Sequence, residues 1–419
     1  MPDMSGVATI RGVPSWLILT LGCTVLFVSG GSRFAFGLML KPMTEELGWG
    51  RALVSLVSTI FMAVSACGQP LAGRLMDRYQ PLWIIGLGLL CGGLGIALMG
   101  AVTSVWHAVL AYGVIFALGQ AASSVSTVGV MVSRAFGSRR GIATSAAMAG
   151  SALGQLVILT LLASVLTTLG WRVAYVGLGM ANLLVIVVLA LLLRKTSLSR
   201  RAAASKPGAA HLTPGLAGTA GARPGHIALL AMLYTVCGIQ DFFVSTHVVA
   251  FATDHGVGPV VAGNVFAFMG LMGLLGVLGA GVLSDAYGPV LPTLLCFLAR
   301  VGLFAYIPFV QDEVSIILFA LLYGATFLVT APLTVIFAER AVGASRMGSV
   351  SGLLSMIHQI AGGVGALFGG SVFDRWGSYN YAFFGMLGLS VLATCATWLL
   401  RDNPIARPSD VSAPANQAG

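Results

Sequence analysis

The sequence predicts an all-α membrane protein with twelve transmembrane helices in two parallel six-helix pseudo-repeats. Three observations carry that reading: the composition, the count of long apolar runs, and a motif that occurs twice. The chain has 419 residues, 57% of them hydrophobic and 8% charged, with a mean hydropathy of +0.95. A soluble domain carries roughly 25% charged residues. Too few polar side chains exist here to cover a water-facing surface.

A bilayer core of about 30 Å needs roughly 20 apolar residues of helix. Runs of that kind lie at 15–40, 52–73, 82–103, 107–132, 142–168 and 173–193, then at 227–252, 259–283, 290–310, 314–337, 349–372 and 380–400. The segment before the first run lacks an early basic cluster and an A-x-A cleavage site, so that run is expected to be a retained helix. The connections near 283/290 and 310/314 are short.

With both termini placed in the cytoplasm, sixteen Lys and Arg fall on the cytoplasmic side. Only Lys41, Arg51, Arg172 and Arg375 fall on the other. That asymmetry obeys the positive-inside rule, and the setting expected is a bacterial inner membrane or its equivalent. The net charge of +9 is therefore a topology signal. The cations are not clustered as a nucleic-acid groove would need. The six cysteines sit in apolar runs without metal-ligand spacing, as small buried hydrophobes do.

Between 194 and 226 the texture changes to Gly, Ala, Pro and Ser with scattered cations, a flexible cytoplasmic linker by composition. It divides an N-terminal six-helix half (1–193) from a C-terminal half (227–402), and 403–419 is a second such segment, a cytoplasmic tail. The halves resemble each other. "AGRLMDRYQP" (72–81) recurs as "AGVLSDAYGP" (280–289) at a constant shift, and "RRGIATS" (139–145) aligns with "RMGSVSG" (346–352) at nearly the same one. Parallel repeats about an axis along the membrane normal characterise one large transporter architecture.

With those motifs the chain resembles the major facilitator superfamily over essentially its whole length. "GQPLAGRLMDR" (68–78) is similar to that superfamily's loop signature between helices 2 and 3. Gly73 would let helices approach closely. Asp77 with Arg74 and Arg78 would fasten one closed state, and Asp285 is the second copy's counterpart. Val282 and Ala286 replace the arginines there, so the latch should be asymmetric.

"FGSRRGIATSAAMAG" (136–150) is similar to the helix 5 signature of monocarboxylate porters, although small residues at that spacing also simply pack helices. Two of that family's features are missing: 259–283 carries no Asp/Arg pair, and Leu38 or Met39 stands where it has a lysine. The resemblance thus extends to bacterial porter-like proteins and oxalate/formate-type exchangers with a differently placed anion site. The proline-containing helix 5 pattern of drug/proton antiporters is absent.

An arginine at the centre of a membrane helix costs about 2.5–3.5 kcal/mol on the lenient insertion scale. The few charges inside apolar runs are therefore candidates for function. Arg33 lies among Gly30, Gly31 and Gly37, and its planar fork suits a carboxylate. It could instead snorkel towards the interface. Arg300 could contact substrate or make a structural pair. Asp241 is a candidate proton carrier, or one member of a fixed ion pair. His358, beside Gln359, could bind an anion, relay a proton or merely pack. His247, nearer the outer end, is a weaker candidate.

No Walker loop, zinc spacing, nucleophile elbow or dinucleotide fingerprint occurs, so neither an enzyme nor a cofactor or metal is expected. The function expected is secondary active transport of a small organic anion, monocarboxylate-type, by alternating access with proton symport. Substrate binding is assigned to Arg33, Arg300, His358 and Gln359, coupling to Asp241, and gating to Gly73, Arg74, Asp77, Arg78 and Asp285. The partners are the anion, protons and the lipid bilayer, with no nucleic acid, and a functional monomer is expected. Two rivals stand beside this: a proton-antiport exporter of a drug, metabolite or siderophore, and a non-transporting membrane sensor.

Overall fold

In a bilayer every backbone N–H and C=O must be satisfied within the protein, which leaves the helix as the natural state of a long apolar run. A computed structural model of the chain describes residues 14–136, 140–197, 224–330 and 347–401, with positions 333, 336 and 337. It is helical throughout, with no strand among the described residues. In chain order, α1 is Ser15–Leu47, α2 Arg51–Arg78 and α3 Pro81–Leu98. The fourth segment, α4, begins at Val105–Ala108, passes through a π-helical stretch at Val109–Phe116, and continues as Ala117–Ala122 and Val125–Phe136.

Arg140–Ser197 is recorded as one helix, but Gly170 inside it adopts φ 80 and ψ 170 and separates two arms, α5 and α6. Then come α7 (Pro224–Asp254), α8 (Pro259–Tyr287), α9 (Val290–Tyr306), α10 (Glu313–Phe327), α11 (Met347–Trp376) and α12 (Asn380–Arg401). Among the described residues, nine helices are long and apolar enough to cross a membrane; dividing the doubled one at Gly170 and adding the shorter α9 and α10 puts a described helix on each expected run. The middle of the expected linker, 198–223, and the tail from 402 lie outside the described residues.

Several helices outrun the apolar stretches that predict them. α1 continues seven residues past residue 40 because its last turns carry polar side chains with partners. Lys41 pairs with Asp254 at 2.8 Å, and Glu46 accepts from Trp171 Nε1 at 2.6 Å and Arg172 Nε at 2.8 Å. Gly48, at φ 66, then ends the helix in a left-handed conformation that L side chains rarely adopt.

Within the N-terminal half, α1 and α5 touch backbone to backbone. A Cβ on Gly154 would collide with the Phe27 carbonyl, and one on Gly30 would meet Ser151. That is the close approach small residues allow between apolar helices. It explains why the glycines beside Arg33 are there, since α1 runs unbroken through them.

Among the described residues the two halves meet along three seams. α1 meets α7 where a Cβ on Gly37 would strike the Ser245 carbonyl. α2 meets α11, with Thr59 Oγ1 donating to the Gly363 carbonyl at 2.7 Å. α5 meets α8, with Gln155 Nε2 donating to the Phe266 carbonyl at 3.2 Å. Asp374 of α11 accepts from the free amides of Arg51 and Ala52 at the start of α2, at 2.9 and 2.8 Å. These are the donors a helix N-terminus leaves unpaired.

Candidate functional site

Arg33 stands on α1 at the seam between the halves. Its guanidinium carbon lies 5.3 Å from the ring centroid of Phe242 on α7 and 6.0 Å from that of Phe34. Such contacts are cation–π in kind, but they leave the hydrogen-bonding plane unfilled. The buried Nε has no partner, and no carboxylate of a described residue lies within ion-pair distance. Gln359 on α11 carries a second buried orphan, its Oε1; Ser55 Oγ and Asn264 Oδ1 complete that set among the described residues. Each unpaired buried polar group costs roughly 1–3 kcal/mol. A fold retains such a group where something else supplies the partner.

Asp241 and Arg300 are one unit. Arg300 is fully enclosed (0% exposed), and its Nη2 lies 2.8 Å from Asp241 Oδ1. The remaining guanidinium donors are also engaged. Nε donates to Thr326 Oγ1 at 3.1 Å and Nη2 to the Thr326 carbonyl at 3.0 Å. Nη1 donates to Gln240 Oε1 at 3.1 Å and faces Cys237 Sγ at 3.8 Å. Tyr323 stacks over the group with its centroid 4.8 Å from the guanidinium carbon, and its hydroxyl donates to Asp241 Oδ1 at 2.8 Å. An arginine so enclosed has no donor to offer a solute. In this arrangement Arg300 is paired with Asp241.

The other carboxylate oxygen faces His358. Its Nε2 lies 3.4 Å from Asp241 Oδ2, and the Cys237 thiol donates to the same oxygen at 3.3 Å. The His358 side chain is 22% exposed, against 4% for Asp241. The imidazole is thus the accessible end of a buried charge cluster. Its ring contacts Tyr234 at 6.4 Å and Phe242 at 5.8 Å between centroids.

Cys237, Asp241 and His358 bring one donor atom each within 4.8 Å, a set with the chemistry of a soft metal site. Arg300 opposes that use. Its fixed positive charge already occupies Asp241 and faces the cysteine sulfur, so a second cation would bind against it.

The expected gating residues are placed differently from one another. Arg74 and Asp285 are exposed, while the side chains of Asp77 and Arg78 lie outside those described. Gly73 makes no close helix approach: it is exposed, and a Cβ there would meet nothing within 4 Å.

A charged fastening does exist, on the other face. Asp254 at the end of α7 binds Lys41 of α1 at 2.8 Å and Arg51 of α2 at 2.6 Å. Arg51 also donates to Tyr379 Oη at 2.8 Å and lies 3.6 Å from the Phe373 ring centroid. Tyr379 in turn contacts His247 Nδ1 at 3.0 Å, and the imidazole's other nitrogen meets the Ala366 carbonyl at 2.8 Å. Sequence reasoning counts Lys41 and Arg51 only as topology markers. The available signal was that an acid ends α7 where two cations end and begin α1 and α2.

An all-helical chain with an ionic group at the seam between its two halves is transporter geometry. A family model described as "Major Facilitator Superfamily" matches residues 22–366 and 230–418. The chain belongs to that superfamily. It is a transporter, not an enzyme.

Among its relatives, monocarboxylate transporter 13 of Bos taurus is 26% identical over 384 residues, covering 90% of this chain and 88% of that one. An MFS-type transporter of Bacillus subtilis, YcxA, is 25% identical over 373 residues, covering 87% and 90%. The solved nucleoside transporter NupG superposes with a TM-score of 0.71 at 14% identity, covering 93% of this chain and 100% of that one. A D-xylose–proton symporter gives 0.72 at 15%, covering 91% and 97%. At those identities the two structures speak for the fold alone.

Proposed function

We propose that this superfamily member carries a small organic monoanion, of monocarboxylate type, across a bacterial inner membrane together with a proton. The observation that carries the reading is a count of charges. Arg300 and Asp241 neutralise each other, which leaves Arg33 as the cation without a counterion among the described groups at the seam. One open guanidinium calls for one carboxylate. Relatives named as monocarboxylate transporters support the same class.

Coupling falls to Asp241 through His358. The imidazole connects the enclosed carboxylate to the seam, so a proton bound for Asp241 passes by way of that ring. A monoanion at Arg33 and one added proton cancel. The loaded site therefore moves no extra charge through the bilayer, where charge is expensive. The distribution of Lys and Arg supports assigning both termini to the cytoplasm. One chain supplies every group in this scheme, which favours a functional monomer.

The test is uptake into proteoliposomes of purified protein under an imposed pH gradient, with pyruvate, lactate and benzoate as probes. Arg33→Lys should weaken apparent affinity about tenfold, because a point charge cannot replace a bidentate fork. Asp241→Asn should keep exchange across equal pools while losing accumulation against a gradient. A lysine variant that transports normally, or undiminished gradient-driven uptake by Asp241→Asn, sinks the scheme. Efflux driven by the opposite gradient would identify an antiporting exporter.

A further inference from the structure

Phe242 follows Asp241 directly in the chain, and its ring touches both sides of the charge layout. Arg33 lies 5.3 Å from its centroid and the His358 ring 5.8 Å. The ring is buried (5% exposed) and closely seated on α11, since a Cβ on Gly362 would overlap it. Arg33 and Asp241 carry opposite charges at one level of a low-dielectric bundle, yet they do not pair. Asp241 has two acceptor oxygens and Arg300 takes only one of them. The other receives the Cys237 thiol at 3.3 Å and His358 Nε2 at 3.4 Å, long contacts from a weak donor and a titratable ring that a guanidinium could displace. What stands against Arg33 and against the His358 end of the pair is an aromatic ring.

We infer that Phe242 is a separator: it holds Arg33 off the Asp241–His358 pair and so keeps the guanidinium open for the substrate anion. Without the ring, Arg33 would swing onto Asp241 Oδ2. The α1 cation would then be neutralised by the protein's own carboxylate, and the anion site would close on itself. The same bridge would tie α1 of one half to α7 of the other at mid-membrane, where alternating access needs them to part. Flanking residues fit this role. Gly362 makes room for the ring on α11, and Phe34 covers the opposite flank of Arg33, packed edge-on to Phe266 and Phe327 at 6.3 and 5.9 Å. The inference deepens the carboxylate-site reading and rests on it for its functional consequence, but the charge separation itself is independent of any substrate.

The experiment therefore has one arm with a ligand and one without. In the first, binding of pyruvate and benzoate to purified protein is compared for wild type, Phe242→Ala, Asp241→Asn and the double variant. Phe242→Ala should weaken binding about tenfold, the size of a coupling between contacting charged groups, and Asp241→Asn in that background should restore it. In the second arm, phenylglyoxal modification of Arg33 is followed by peptide mass spectrometry with no carboxylate present. Modification should slow in Phe242→Ala, where the guanidinium is paired, and recover in the double variant. Phe242→Leu, which keeps most of the volume, should behave as wild type in both arms and controls for loss of fold.

Arg33 modification that is unchanged or faster in Phe242→Ala overturns the separator, because the ring would then be only a cover. Failure of Asp241→Asn to restore either readout overturns it too. Wild-type protein that binds neither carboxylate, while the modification pattern holds, leaves the separator standing and removes the substrate reading instead.

Discussion

Replacing Arg300 by methionine removes the cation from a pair with almost no access to water. The two side chains are 0% and 4% exposed and 2.8 Å apart. Breaking such a pair by deleting one partner costs about 3–5 kcal/mol, because the remaining charge stays buried without its counterion. Asp241 would keep the Tyr323 hydroxyl, the Cys237 thiol and the His358 ring, none of them a permanent charge. Thr326 and Gln240 would lose their donors as well. Arg300→Met should therefore lower the unfolding midpoint of detergent-solubilised protein more than any exposed charge deletion. Adding Asp241→Leu should recover about 2 kcal/mol of that loss, since the pair then leaves together. Thermal and denaturant unfolding of the four proteins of the cycle supplies the numbers. An Arg300→Met protein as stable as wild type would mean that the carboxylate carries no charge in the fold, and the coupling scheme would lose its foundation.

Two further outcomes follow from the outer fastening and from one helix start. Asp254→Asn removes the acid that Lys41 and Arg51 share across the halves, so the closed far face should open more often. A cysteine introduced at Thr253 should then react about tenfold faster with a membrane-impermeant maleimide, a shift of roughly 1.4 kcal/mol between two closely balanced states. An unchanged rate would deny the latch. Asp312 starts α10 by accepting from the Ser315 amide at 3.1 Å and hydroxyl at 2.7 Å, bonds that hold its carboxyl below the usual carboxylate range. A depressed value means the stabilisation is complete above the unfolded-state value and fades as pH falls through the folded one. Hydrogen exchange at the first turn of α10 should thus speed up in acid, after correction for intrinsic rate. In Asp312→Ala it should be fast and lack that step.

The architecture is almost wholly legible in the sequence, because a lipid-spanning helix is announced by length and hydropathy alone. Boundaries are less so. α1 and α11 extend past their apolar runs, since their end turns have partners on other helices: Asp254 for Lys41 of α1, and the first amides of α2 for Asp374 of α11. The joint at Gly170 falls in the gap between the runs 142–168 and 173–193, whereas the π-helical stretch at Val109–Phe116 leaves no mark in hydropathy, being a matter of backbone torsion. At the site, the sequence shows which charges are costly but not whom they face. Arg33 and Arg300 look equivalent as lone arginines in apolar runs. Packing makes one an open donor and the other a saturated brace, and that depends on Gln240 arriving from α7 and on Thr326 and Tyr323 arriving from α10.

That difference bears on how the halves divide the labour. The N-terminal half contributes an uncompensated cation on α1, and the C-terminal half contributes a neutral cluster whose protonatable end looks toward the seam. On the proposed scheme, neither half holds both anion and proton sites. A carrier built this way cannot load its second partner without the two halves lying against each other at mid-membrane. On that scheme the Phe242 ring, which meets Arg33 and His358, is an element on which occupancy of either site would act directly. If the halves instead rocked with Arg33 and His358 moving as one body, the link between solute and proton would have to run through the helix backbone of α7. Cross-linking α1 to α7 at that level would then leave coupled transport intact, whereas motion across the seam requires it to stop.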